Sequence, residues 1–173
     1  VAFADAAFLS DLHSSVPVEQ QTGASWIGHL VTMFGSPIAA RSAKVKVLCT
    51  STRDAELLGA VSPLALIERA REVLITLGLQ DPAVPSLQYT DSMVLLAALD
   101  KFGAQFRSRH LRLQFLILRN AVKEGLVKLA FLRSRNMPAD LLTKHLGRVL
   151  FESVVRWVLG MEPVPLPPLP GGT

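Results

Sequence analysis

Val1-Ala2-Phe3-Ala4-Asp5 opens the chain with four apolar residues closed by a carboxylate. A short apolar run of this kind reads as a buried strand, here spanning Val1 to Phe8. Leu87-Gln88-Tyr89-Thr90-Asp91 repeats the arrangement, again placing an acid where a strand ends. Glu56 falls one turn into a helical pattern, and Asp140 opens another after Pro138. Two strand ends and two first helical turns can therefore direct Asp5, Glu56, Asp91 and Asp140 into one cleft.

Convergent carboxylate oxygens suit magnesium or manganese, hard cations that take a few protein oxygens and keep waters and phosphate oxygens as further ligands. Without metal such a cluster repels itself. Two charges about 4 Å apart cost roughly 4 kcal/mol at an effective dielectric of ~20, so some of the four should titrate as a coupled set. Taken singly, each of the fourteen Asp and Glu residues reads equally well as a solvated surface group.

Between the first two acids, Ser25 to Phe34 is strand-like and turns at Gly35-Ser36-Pro37 into a further strand, an antiparallel hairpin preceded by a loop carrying Pro17. Ser51-x-x-Asp54 resembles a capping box ahead of an apolar-periodic stretch that runs to Leu77 and stops at Gly78. Pro63 lies inside that stretch and predicts a kink or a break into two helices. Ser92 to Phe102 reads as a helix, with Asp91 at its junction with the preceding strand. A second helix covers Arg109 to Glu124, with Leu111, Phe115, Leu118 and Val122 on its apolar stripe and Gly125 as its stop. Val127 to Leu132 is the last strand and Arg133 to Pro138 a loop. From Ala139 a final helical region continues through Val149 to Leu159. These elements give an α/β domain: a mixed five-stranded sheet with an antiparallel hairpin, flanked by helices.

Length and composition bound the function. A 173-residue chain, half of it apolar, buries enough surface for one core. Residues 162 to 173 hold five of the eleven prolines and read as an extended, poorly packed tail beyond a domain of residues 1 to 161. The lone Cys49 excludes an intramolecular disulfide and a cysteine-based zinc site, and reads as a small buried hydrophobe in a reducing compartment. Arg119, Lys123 and Arg156 interrupt the most apolar stretches, so no membrane helix is expected. The start at Val1, without methionine, fits an excised or processed segment.

Net charge conceals an asymmetry. Residues 1 to 100 carry ten acids and six bases, whereas residues 101 to 148 carry two acids and eleven bases. Arg112, Arg119 and Lys123 share a helical face by spacings of seven and four. Arg107, Arg109, Lys128, Arg133 and Arg135 flank that helix in sequence, and His110 joins the candidate nucleic-acid-binding residues. Such a surface can track a phosphate backbone, with strong salt dependence and recognition through shape and 2′-hydroxyls instead of base sequence. His13, His29 and His145 show no ligand spacing.

Several stretches resemble the ribonuclease H domain that ends the polyprotein of copia-type LTR retrotransposons, over about Val1 to Met161. They are Phe3-Ala4-Asp5-Ala6, Gln21-Thr22-Gly23 and Gly35-Ser36-Pro37-Ile38-Ala39-Ala40-Arg41-Ser42, where Ala40 replaces a tryptophan of the family. Thr50-Ser51-Thr52-Arg53-Asp54-Ala55-Glu56-Leu57 is similar to the family's helix start, and Tyr89-Thr90-Asp91-Ser92 to its Thr-Asp-Asn step, with Ser92 for asparagine. Most specific are Arg107-Ser108-Arg109-His110-Leu111 and Ala139-Asp140-Leu141-Leu142-Thr143-Lys144.

That resemblance implies a ribonuclease H-like fold and hydrolysis of the RNA strand of an RNA–DNA hybrid, with two Mg2+ or Mn2+ ions. Asp5 would bridge both ions, Glu56 and Asp91 would complete one site and orient the 2′-hydroxyl, and Asp140 would hold the second ion. His110 would serve structure or backbone contact. The Arg133 to Pro138 loop lacks the histidine that cellular ribonucleases H carry there, which implies slower product release. It also implies an upstream reverse transcriptase domain and a cytoplasmic particle. Glu56 beside Asp91 argues against the integrase and transposase group on this fold. The alternative is a domesticated, catalytically silent copy, mitochondrial or nuclear, serving as a structural or RNA-binding subunit of a large ribonucleoprotein assembly such as a mitochondrial ribosome. Pro63, Ala40, Ser92 and a mean hydropathy of +0.36 leave room for it.

Overall fold

The computed structural model describes residues 1–9, 24–100, 106 and 108–166. Strand β1 (Ala2–Ala7) is buried along its whole length, the condition of a central strand covered on both faces. β2 (Trp26–Met33) pairs with it antiparallel on one side, and β4 (Ser86–Thr90) parallel on the other. β3 (Ser36–Lys44) and β5 (Val127–Phe131) are the edges of a five-stranded sheet in the order β3-β2-β1-β4-β5. This is the mixed sheet with an antiparallel hairpin that the strand pattern predicts.

The hairpin turns at Phe34-Gly35, one residue earlier than expected. Both residues have positive φ, 52° and 82°, as a two-residue type I′ turn requires. Pro37 already belongs to β3, where an edge strand tolerates its missing donor.

Helix α1 (Thr52–Val61) starts at Ser51, whose Oγ accepts from the Asp54 amide at 3.3 Å. Asp54 in turn accepts from the Thr50 amide and hydroxyl at 2.9 and 2.8 Å. The box is therefore closed through Thr50. Pro63 cannot continue α1, and the chain restarts as α2 (Leu64–Thr76). The buried Arg71 of α2 donates to the carbonyls of Pro82 and Val84, pinning the loop before β4. α3 (Met93–Asp100) follows β4, and α4 (Arg109–Lys123) is capped by Ser108 and leaves through Gly125 at φ 70°.

Two apolar layers flank the sheet. Leu57, Leu64, Ile67, Leu95, Leu111, Phe115 and Leu118 pack α1 to α4 on one face. Ala121 takes the buried position expected of Val122, which is only partly buried. On the other face Phe3 and Tyr89 stack at 5.6 Å beside Leu30, Leu132, Met137 and Ala139.

Two expectations are corrected. The final helical region is not continuous: Pro138–Leu142 is a 3-10 turn, and α5 (Arg148–Val158) begins only after Gly147. Thr143, whose hydroxyl donates to Asp5, leaves helical geometry at φ −129°, and the chain restarts from the extended Gly147. The proline-rich segment is also not loose at its start, since Val164 packs on the Tyr89 layer and the Asn136 side chain donates to the Pro165 carbonyl at 3.2 Å. The loop around Pro17, His13, Gln21-Thr22-Gly23, Phe102, Arg107 and residues 167 to 173 lie outside the described residues.

Candidate active site

Side chains alternate along a strand, so Asp5 shares the face of Phe3 and points toward the 3-10 turn at Pro138–Leu142. Two glycines let other elements close on it. Gly28 is the cross-strand partner of Asp5. A Cβ there would lie 2.7 Å from Leu142 Cβ and 2.8 Å from Thr143 Cγ2, so only bare backbone admits the turn. A Cβ on Gly59 of α1 would lie 3.0 Å from the Asp5 carbonyl oxygen. Ser42 ties the same turn to β3 by donating to the Leu142 carbonyl at 2.6 Å. That gives the Arg41-Ser42 step of the hairpin a structural role.

Glu56 comes from the first turns of α1, and Asp91 stands one residue past β4, at the carboxyl ends of two parallel strands. Open α/β sheets bind ligands at such strand ends. Asp5, Glu56 and Asp91 each bring one oxygen to within 4.8 Å of the others. Asp140 adjoins this group from the 3-10 turn, tied to it by Lys144. The Lys144 ammonium donates to Asp5 Oδ1 at 3.1 Å and to Asp140 Oδ1 at 3.0 Å. The other oxygen of Asp5 accepts from the Thr143 hydroxyl.

Electrostatics follow from that crowding. Burial, then the charges of Asp5 and Asp91, push the Glu56 carboxyl up to about 8. Asp140 is raised to about 7 by burial and by Asp5, against the pull of Lys144. Burial raises Asp5 as well, with Lys144 and Thr143 opposing. Burial alone would lower Lys144, but Asp5 and Asp140 hold it above the ordinary lysine range.

Ser134, in the 3-10 turn Ser134–Asn136 after β5, donates to Asp91 Oδ2 at 2.6 Å. Oδ1 of Asp91 is buried with no hydrogen-bond partner, one of two such side-chain oxygens among the described residues. A buried carboxylate oxygen without a partner is costly, and Asp91, which carries it, is one of the three acids grouped with Asp5 and Glu56. Hard oxygen donors, excess negative charge and an orphaned acceptor fit a divalent cation such as Mg2+ or Mn2+.

Solved structures supply the comparison for the sheet order and helix placement. The chain superposes on the N-terminal ribonuclease H domain of a Mycobacterium tuberculosis protein with a TM-score of 0.51 at 13% identity, covering 90% of this chain and 94% of that one. A ribonuclease H1 isolated from compost matches at a TM-score of 0.57 and 14% identity over 89% and 96%. The chain has the ribonuclease H fold. The same compost enzyme, solved in complex with an RNA/DNA hybrid, matches at 0.52 and 16% identity over 82% and 91%. In sequence, the chain is similar to the retrovirus-related Pol polyprotein of transposon RE2 from Arabidopsis thaliana, 29% identical over 147 residues. That match takes in 84% of this chain, which spans 10% of the polyprotein's length. No protein-family model matches the chain.

Within this ribonuclease H fold the expected basic residues fall into two groups. Arg109, His110 and Arg112 are exposed in the first turn of α4, and Arg133 and Arg135 flank Ser134 beside Asp91. α4 is about 22 Å long at 1.5 Å per residue and returns through Gly125 into β5. Arg119, half-buried, and Lys123, exposed, therefore lie toward its far end, away from the carboxylates. His29 bonds Ser62 Oγ at 3.0 Å within the fold. No helix among the described residues is long and apolar enough to cross a membrane.

Four contributors to the site have no role assigned from sequence: Gly28, Ser134, Thr143 and Lys144, the last two standing in the matched motif that ends at Lys144. The last two carried a signal, being three and four residues after Asp140 and thus one helical turn from it. Gly28 and Ser134 carried none that a single sequence displays.

Proposed function

We propose that this domain is a metal-dependent endoribonuclease that cleaves the RNA strand of RNA–DNA hybrids. The observation that carries the reading is the meeting of Asp5, Glu56 and Asp91 from three different elements, with Asp91 Oδ1 buried and unpartnered. Asp5, Glu56 and Asp91 would hold one Mg2+ or Mn2+ ion, and Asp5 with Asp140 a second. When bound, the ions supply an activated water and stabilise the leaving 3′-oxygen.

The chain's own residues do the rest. Ser134 fixes the Asp91 carboxylate through Oδ2, and Thr143 and Lys144 fix that of Asp5 through its two oxygens. Arg133, Arg135, Arg109, His110 and Arg112, at the site end of the molecule, supply backbone contacts to the hybrid; Arg107, beside them in sequence, joins that set. Such contacts position the duplex without reading bases, while Arg119 and Lys123 extend the positive surface. The similarity to a Pol polyprotein supports a polyprotein setting; a reverse transcriptase domain upstream and an intracellular particle complete the proposal.

A second reading, a silent subunit of a larger ribonucleoprotein assembly, is favoured by one feature. Leu113, Leu116 and Ile117 are 55%, 51% and 42% exposed on the outer side of α4, where a monomer would rather place polar side chains. One assay separates the two: cleavage of a labelled RNA strand in an RNA–DNA hybrid with Mg2+ or Mn2+, wild type beside Asp91→Asn. Cleavage that the substitution abolishes establishes the hydrolase. Absence of cleavage in either metal, with salt-sensitive RNA binding intact, establishes the silent subunit.

A further inference from the structure

The ammonium of Lys144 stands where a cation between Asp5 and Asp140 would stand, 3.1 Å from one carboxylate oxygen and 3.0 Å from the other. Asp5 is fully buried in its side chain and Asp140 nearly so, 0% and 7% exposed, whereas Lys144 keeps 35% of its side chain in solvent. The cation is thus the movable partner of an otherwise fixed pair. A lysine is a compact point charge on a flexible four-carbon stem, and its stem has a route to solvent that neither carboxylate has.

We propose that Lys144 acts as a built-in competitor for the second divalent ion, filling the place between Asp5 and Asp140 until it swings out. This rests on the reading of the site as a metal centre. The other half of the cluster differs in kind: Asp91 Oδ1 has no hydrogen-bond partner, so an ion held by Asp5, Glu56 and Asp91 meets a carboxylate that the fold leaves only half satisfied. The two ions therefore load unequally, the first onto a site short of a partner and the second only by displacing an ammonium that already holds two carboxylates. A phosphate of the bound nucleic acid offers the released ammonium a new partner, so substrate binding favours that displacement.

The test is Mn2+ binding to the whole chain by calorimetry and electron paramagnetic resonance, with cleavage not among the readouts. Wild type should show one ion bound at least about tenfold more tightly than a second. Lys144→Gln, which keeps the stem but not the charge, should tighten the second ion selectively. Lys144→Arg should keep it weak. Two ions of equal affinity in wild type overturn the proposal without recourse to any variant, and so without depending on whether the variants fold. Equal tightening of both ions in Lys144→Gln also overturns it, since that is what a charge acting at a distance would do, and the metal reading then survives. Failure of every form to bind Mn2+ overturns both.

Discussion

Asp5 divides the carboxylate cluster into two sides that meet the same problem differently. Toward β4, Glu56 is pushed up to about 8 by burial and by Asp5 and Asp91, and Asp91 keeps an oxygen with no partner. Toward the 3-10 turn, Asp140 and Asp5 share one ammonium, and Thr143 occupies the remaining Asp5 oxygen. One side leaves its charge for an ion to neutralise; the other neutralises it with the chain itself. If the cluster holds ions as proposed, the tighter one belongs on the side where the fold is least satisfied, because a bound ligand gains most there.

The harshest way to break this comparison is Asp91→Asn. Besides abolishing cleavage, it should remove the tight ion while leaving the Lys144 bridge to Asp5 and Asp140 intact. Mn2+ calorimetry would show the loss, and an unchanged tight ion would mean that Asp91 is not a ligand. Next in size is Gly28→Ala, which puts a methyl group 2.7 Å from Leu142 Cβ. Overpacking of this kind costs about 1–3 kcal/mol, a fall in melting temperature of roughly 2–12 °C for a chain of this length. The substitution should act on the Asp140 side and spare the Asp5, Glu56 and Asp91 group. A melting temperature equal to wild type would show that the turn yields easily.

Acidity tests the same division without mutation. Glu56 rises from 4.5 to about 8 and Asp140 from 3.8 to about 7 on folding. A raised carboxyl binds its proton more tightly in the folded state, so its contribution to stability is full below the unfolded value and is lost as pH climbs through the folded one. The metal-free protein should therefore melt at progressively lower temperature as pH rises from 3.8 to about 8. Millimolar Mg2+ should flatten the decline, because an ion replaces the proton as the neutralising partner. A metal-free melting temperature that holds or rises across that window would contradict the burial of these acids.

Short apolar runs bounded by turn residues, the Gly125 stop and the Ser51 cap make the sheet and most helices legible, because each is a local rule that the packing here does not override. The break at Pro63 was legible for the same reason. The turn at Phe34-Gly35 was misplaced because a phenylalanine at positive φ contradicts local preference and is held by the strand register on either side. The broken helix after Asp140 was missed because its cause is distant, lying in the contact of Thr143 with Asp5, 138 residues away in the chain. The four acids could be picked out from the ends of apolar runs and helix starts together with the family resemblance, although Asp5 stands inside β1 instead of at its end and Asp140 stands in a 3-10 turn. Which cation neutralises them could not, since Lys144 reaches Asp5 only after Gly28 has let the turn descend on the sheet.

The smallest effect offers the finest discrimination. Ser134 and Thr143 each donate a hydroxyl to a carboxylate of the cluster, Ser134 to Asp91 and Thr143 to Asp5. Ser134→Ala removes the bond that holds Asp91 Oδ2 and lets the carboxylate rotate, so Asp91 is no longer held in one orientation beside Asp5 and Glu56. Outer partners of this kind are worth about 10- to 100-fold in ion affinity where buried. Ser134 is exposed, so the loss should fall near the low end, with melting temperature almost unchanged. The loss should appear in the tight ion and not in the second, because Ser134 touches nothing on the Lys144 side. If Ser134→Ala weakens both ions alike, the two sides of Asp5 are one electrostatic unit, and their different satisfaction in the folded chain does not govern the order in which ions bind.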